Sequence, residues 1–187
     1  YMQKIAGILA PYQKELLEYY NCKPEKILIQ SFISFLPKFY LENKEQMKKE
    51  NINYFLKYNI STDKKIIFYP ASFWEHKNHK YILETANLLK KKSIKDFNFL
   101  FCGTDRGNLK FIKEEIKKYD LSELISTISF VSNEELVFFY NNSFAVVMPT
   151  IGGPTNLPLY ESFFFKKPIF YNKNILQDEI LKKLIIE

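Results

Sequence analysis

Residues 66–83 read IIFYPASFWEHKNHKYIL. Ile66 to Tyr69 is a short apolar run that Pro70 ends, the pattern of a strand buried on both faces. From His79 the spacing changes: Ile82, Leu83, Ala86 and Leu89 recur at helical intervals and make one stripe over 79–91. The turn between them holds the one Trp of the chain, Trp74, together with His76, Lys77 and Asn78. A strand, a chemically rich turn and a helix in that order begin a βαβ unit.

The same alternation continues downstream. Apolar runs at 66–69, 97–102, 128–131, 144–148 and 168–171 predict five strands. Helical stripes are expected over 79–91, 107–119, 133–141, 156–165 and 175–185. Strand–helix alternation with right-handed crossovers predicts an α/β fold, a Rossmann-like parallel sheet with helices on both faces. Upstream the pattern is less regular. Residues 3–20 are expected to be a helix kinked by Pro11, and Lys26 to Gln30 a strand. SFISFLPKFYL, 31–41, is read as an irregular apolar connector that packs against something, and 42–58 as a Lys/Glu-rich helical segment. The composition shifts near residue 60.

The 187 residues suit one domain, or one domain with part of another. Apolar residues at 47% and aromatics at 17% supply a core and exclude a disordered chain. The net charge of +6 is compatible with nucleic acid, an anionic membrane surface or a phosphorylated ligand. Arg106 is the only arginine, however, and specific DNA readers depend on bidentate Arg, so nucleic acid is not expected as a partner. The two cysteines, Cys22 and Cys102, form no disulfide framework and no zinc pattern; Cys102 is expected to be a buried thiol. His76 and His79 could share a helix face, but only Glu75 is nearby to complete a metal site, and none is expected. No apolar run reaches the ~18 residues of a membrane span, and no leader peptide is visible. The expected setting is reducing and cytoplasmic.

Ligands in such a sheet bind beyond the carboxyl ends of the strands, which directs attention to the turns at 70–78, 103–107, 132–134 and 149–156. Lys77 is a point cation at the first of these. Gly103 directly follows a strand, where a backbone turns tightly or approaches a ligand. In PTIGGPTNLPLYES, two glycines lead into a helix that starts near Leu157, with Asn156 as its N-cap and Pro158 in the first turn. Such a turn is ready to hold phosphate. Glu161 lies one turn further. It serves either the helix dipole, worth roughly 0.3–1 kcal/mol, or a ligand hydroxyl.

PASFWEHKNH with its amphipathic helix, a strand ending in CG, and ISFVSNEELVFFYNNSFAVVMPTIGGPTNLPLYESFFFKKPIF together resemble the C-terminal half of a family 4, GT-B glycosyltransferase over roughly residues 60 to 180. The resemblance implies that 1–40 is the tail of an N-terminal acceptor domain plus a connector, and 41–187 a donor-binding domain cut short at its C-terminus. The acceptor domain would be largely missing, and the fragment alone inactive. It implies Lys77 on the donor diphosphate and Glu161 on the ribose, both assigned as catalytic. Ser72 stands where the family often has a second cation, and Gly153 where it has a glutamate facing the sugar. Main-chain N–H groups of Thr155, Asn156 and Leu157 would hold the phosphates, with Gly103 also in the donor site. The implied reaction is a metal-independent, retaining transfer from a GDP- or UDP-sugar to a glycan or lipid-linked acceptor in bacterial polysaccharide biosynthesis, in the cytoplasm or at the inner face of the membrane. The substitutions at Ser72 and Gly153 leave open a non-catalytic nucleotide-sugar-binding module, or an epimerase of the same fold.

Overall fold

In the computed structural model, residues 5–8, 17–21, 23–29, 33–152 and 157–172 are described. The elements in chain order are β1 (Ile5–Ile8), β2 (Ile27–Ile29), α1 (Leu36–Glu50), α2 (Tyr54–Lys57), β3 (Lys65–Pro70), α3 (His79–Lys91), β4 (Phe97–Cys102), α4 (Leu109–Lys118), β5 (Ile125–Ile128), α5 (Asn133–Asn142), β6 (Ala145–Met148), α6 (Leu157–Phe164) and β7 (Ile169–Tyr171).

Five of the strands form one all-parallel sheet in the order β5-β4-β3-β6-β7. The expected α/β, Rossmann-like architecture is what the chain adopts. Alternate residues of each central strand enter opposite cores. Tyr69, Phe99 and Phe101 face Ile82, Leu83 and Ile112 of α3 and α4. Phe68, Leu100 and Val146 face Val137, Phe139 and Tyr140 of α5, together with Leu36, Phe55 and Ile60. The second core is strongly aromatic. Phe68 lies 5.7 Å from Phe139 and 5.2 Å from Tyr140, and Tyr140 stacks on Phe165 at 5.1 Å. Such pairs add about 0.5–1.5 kcal/mol each beyond their burial.

Four expectations need correction. Ile5–Ile8 is a strand, not part of a helix over 3–20: it pairs in parallel with β2, Ile5 opposite Ile27. Isoleucines at 5 and 8 around Gly7 favour a strand over a helix. Pro11 lies outside the described residues. The third apolar run is β5 at 125–128 rather than 128–131, because the register with β4 runs from Phe99–Ile125 to Cys102–Ile128. Phe130 then falls beyond the strand end, 74% exposed. The connector at 31–41 is regular from Leu36: Pro37 sits in the first turn of α1, where its missing N–H costs nothing. Leu36 is buried while Ile33, Phe35 and Leu41 are exposed. Finally, 42–58 is two helices. Asn51 takes the left-handed conformation that closes α1, and the Asn53 side chain caps α2 by accepting from Phe55 and Leu56 N–H. The helix expected at 175–185 lies outside the described residues.

Glu135 ties α2 to α5. It completes a capping box with Ser132 at the start of α5. It also accepts from Lys57 Nζ and Tyr58 Oη, each at 2.7 Å. Its side chain is 6% exposed. Burial works to raise its pKa, but the bonds from Lys57, Tyr58 and the Ser132 N–H outweigh this and hold it below the ordinary value. A depressed carboxylate stabilises the fold above its unfolded pKa, and that contribution is lost as pH falls through the folded value. Glu135→Gln is expected to cost roughly 1–2 kcal/mol at pH 7. The deficit should vanish in acid, where the wild-type carboxyl is protonated. Urea titrations of both chains across pH 2–7 check this; a constant deficit refutes it.

Candidate functional site: a cleft at the strand ends

The chain leaves β3 toward β4 and β5 on one side, then returns to β6 and β7 on the other. Reversal of strand order at a central strand opens a crevice beyond the carboxyl ends. A cavity of about 370 Å³ lies there, lined by the strand-end residues Pro70, Cys102 and Met148 and by the turns that follow them.

The 70–78 turn forms its floor. Trp74 starts a short 3-10 turn over Glu75–Lys77, and Asn78 closes it in the left-handed conformation, φ 56°. Asparagine tolerates that region better than most residues because its short amide bonds locally. Both flanks of the turn are pinned. On the β4 side, Phe73 N–H donates to Thr104 O at 2.9 Å and Asn108 N–H donates to Phe73 O at 3.2 Å. On the β6 side, Ile151 N–H donates to His76 O at 2.9 Å, and Asn78 Nδ2 donates to Pro149 O at 3.2 Å. Beneath, Tyr69 Oη donates to Lys77 O at 2.5 Å and lies 3.2 Å from Thr150 Oγ1. So Asn78 holds the loop through its side chain and His76 through its carbonyl.

The two histidines are separated in role. His79 is fully buried among Tyr69, Phe73 and Phe101, with ring centroids 4.7 to 5.1 Å away. Burial, and then the Lys77 charge, pull its pKa down to about 3, so the ring is neutral. His76 stacks against Trp74 at 6.0 Å. Among the described residues no cluster of three or more His, Cys, Asp or Glu could hold a metal, and no helix is long and apolar enough to cross a membrane.

Of the expected site residues, Ser72, Lys77, Gly103, Leu157 and Glu161 all line the cavity. Gly153, Thr155 and Asn156 lie outside the described residues. Lys77 is the one cation lining the cleft among those described, and Glu161 the one carboxylate. Burial alone lowers the Lys77 pKa, for no carboxylate among the described residues pairs with it. That is an amine whose charge is poorly compensated and which gains from an anionic ligand. Gly103 owes its identity to packing: a Cβ there would stand 2.2 Å from Ala71 O. The glycine lets the 70–78 and 103–107 turns touch, and thereby sets the width of the cleft. Trp74 is 45% exposed at the rim, and the Arg106 guanidinium sits 5.8 Å from its ring centre.

Glu161 carries a feature that the linear sequence conceals. Its two oxygens accept from Ser34 Oγ at 2.5 Å and from Tyr140 Oη at 2.6 Å. Ser34 is 127 residues away in the chain. Tyr140 falls in an apolar helix that reads simply as core, and no local signal marks either hydroxyl as a partner of the carboxylate.

A family model for glycosyl transferases group 1 matches residues 50–184. No curated protein matches the chain significantly in sequence. Among solved structures, WaaG, described as a glycosyltransferase involved in lipopolysaccharide biosynthesis, superposes with a TM-score of 0.72 at 14% identity, over 90% of this chain and 44% of that one. A glycosyltransferase from Rickettsia africae gives 0.66 at 20% identity, over 90% of this chain and 49% of that one. Anabaena HepE, solved with UDP and glucose, gives 0.62 at 10% identity, over 89% and 43%. The chain therefore spans less than half the length of each of these three structures. Their likeness is one of fold, and the family match covers well over half of the sequence: the chain belongs to the glycosyl transferases group 1 family.

Proposed function

We propose that this chain is the donor-binding half of a GT-B glycosyltransferase of family 4. It would transfer a sugar from a nucleoside diphosphate sugar to a hydroxyl of a glycan or lipid-linked acceptor. The observation that carries this reading is the cleft at the strand ends, with Lys77, half-buried and unpaired among the described residues, and the Glu161 carboxylate both lining it. An unpaired amine answers a diphosphate; a carboxylate answers the hydroxyls of a ribose. UDP is the first nucleotide to test, because HepE was solved with it; GDP is the second.

In the proposed reaction the bond from the anomeric carbon to the diphosphate oxygen breaks, and the diphosphate keeps the electron pair. The acceptor oxygen bonds to the same face of that carbon, so configuration is retained, and its proton passes to the departing diphosphate. Charge builds on the leaving group, and stabilising it is the main task of the protein. Lys77 would supply positive charge there without a metal, together with the main-chain N–H of Leu157 at the start of α6. Ser72 and Gly153 supply no charge, which shifts the burden onto Lys77. Residues 1–40 would then be the tail of the acceptor domain and the connector, and 41–187 the donor domain. The rest of the acceptor site would come from further chain, and the basic surface would suit anionic headgroups on the cytoplasmic leaflet.

Calorimetry with UDP, GDP, ADP and dTDP tests the site. One nucleotide should bind with a clear preference, weakened at least ~10-fold in Lys77→Ala and in Glu161→Ala. Equal, weak binding of all four, unchanged in both variants, would end the proposal. The same cleft with Ser72 in place of a second cation also fits a module that binds but does not transfer. Turnover of a labelled nucleotide sugar by the protein in its full length excludes that alternative.

A further inference from the structure

Glu161 does not wait in the cleft as a free carboxylate. Ser34 Oγ donates to one oxygen and Tyr140 Oη to the other. Both donors are themselves fixed. Ser34 is 8% exposed, and its Oγ accepts the Leu36 N–H at 3.2 Å, at the start of α1. Tyr140 is completely buried, its ring against Phe68 and stacked on Phe165. Burial, then the Glu161 charge, push the Tyr140 phenol well above its ordinary pKa, so it stays a donor.

A carboxylate offers about four lone-pair sites. Two are taken by these hydroxyls, one on each oxygen. Among the described residues one site on each oxygen is left, and Glu161 lines the cleft. Two acceptors on adjacent oxygens match two neighbouring O–H donors, as a cis-diol presents them. We infer that Ser34 and Tyr140 are positioning residues. They lock the Glu161 carboxylate in one orientation, so that what remains of it reads the ribose cis-diol of the nucleotide. This rests on the donor-site reading proposed above. It goes further in assigning the ribose selectivity of the cleft to two hydroxyls that come from α5 and from the segment before α1.

The test compares UDP with 2′-deoxy-UDP, and GDP with 2′-deoxy-GDP, by calorimetry on the wild-type chain and on Glu161→Ala, Tyr140→Phe, Ser34→Ala and Ser34→Thr. The wild type should prefer the ribonucleotide of its chosen base by ~10-fold or more, and Glu161→Ala should abolish that preference. Tyr140→Phe and Ser34→Ala should each reduce it to a few-fold, weakening the ribonucleotide more than the deoxynucleotide. Ser34→Thr, which keeps the hydroxyl, should restore it. A general loosening of the fold would weaken both nucleotides alike and would not move the ratio. If Tyr140→Phe fails to fold, the two Ser34 variants decide alone. A full preference retained in Tyr140→Phe and Ser34→Ala, but lost in Glu161→Ala, overturns the positioning role and leaves the donor site standing. No preference in the wild type for either base, or one that survives Glu161→Ala, overturns the ribose reading and the inference with it.

Discussion

In the full-length protein, Lys77→Ala is expected to lower the proposed sugar transfer by about 10²- to 10³-fold, the usual cost of removing one group that stabilises charge in a transition state. The same substitution should leave the unliganded fold at least as stable as before. These two outcomes belong together. Burial lowers the Lys77 pKa with nothing to compensate it. In the pH range between the folded and unfolded values, the unfolded chain binds the extra proton, so stability rises with pH. Below the folded value the amine is charged in both states, and its desolvation counts against the fold in full. Alanine removes that cost. Thermal melts at pH 7 and pH 10 should therefore show the wild type gaining on the variant as pH rises. Nucleotide affinity of the unliganded wild type should move the other way, falling as the amine loses its proton, at a pH below that of an ordinary lysine. A variant that is stable and transfers sugar at the wild-type rate would remove Lys77 from the mechanism.

Gly103→Ala is expected to destabilise the fold by at least about 2–3 kcal/mol, the upper range for overpacking a close contact. The added Cβ would meet Ala71 O at 2.2 Å, Ala71 C at 2.5 Å and Ser72 N at 2.6 Å. All three are backbone atoms, which no rotamer change can move aside. Nor can the turns separate freely. Ala71 N–H donates to Cys102 O, and Gly103 N–H donates to Ile128 O, each at 3.0 Å. The strain must therefore lengthen one of these bonds or shift β4 against β3. For a chain of this size the melting temperature should fall by roughly 5–10 °C. Because Ser72 lines the cleft, nucleotide binding should weaken as well. Calorimetric unfolding measures the first effect and titration with UDP or GDP the second. An unchanged melting temperature would mean that the two turns do not touch.

The βαβ core was legible because its signals are local. Ile82, Leu83 and Ala86 lie at helical spacing, and α3 begins at His79 as that spacing requires. Phe97 to Cys102 is one apolar run and one fully buried strand. The sequence misleads where a partner decides the outcome. IAGI at 5–8 becomes a strand beside ILI at 27–29, and the ends of β5 are set by its register with β4. Pro37 looked like an interruption, yet one residue after Leu36 it opens a helix. The cleft followed the same rule. Lys77 and Glu161 could be picked out because each sits at a turn or a helix start after a strand. Ser34 and Tyr140 could not, since a hydroxyl that meets a carboxylate 127 or 21 residues away leaves no periodic trace.

The placement of β3 at the centre of the sheet governs how the molecule is made. β3 is the first of the five strands to be synthesised, and it pairs on both sides. β4 follows about 30 residues later, but Ala145, which pairs with Ile67, follows only after ~80. At ~5–20 residues per second of synthesis, the β6 side of β3 stays bare for roughly 4–16 s. During that time the row of backbone donors and acceptors at Ile66 to Phe68 is open to any other extended chain. Until β6 arrives, the nascent chain carries an open strand edge that other extended chains can pair with. Substitutions that delay β6 would be read out as aggregation during expression well before they appear as a change in the finished protein.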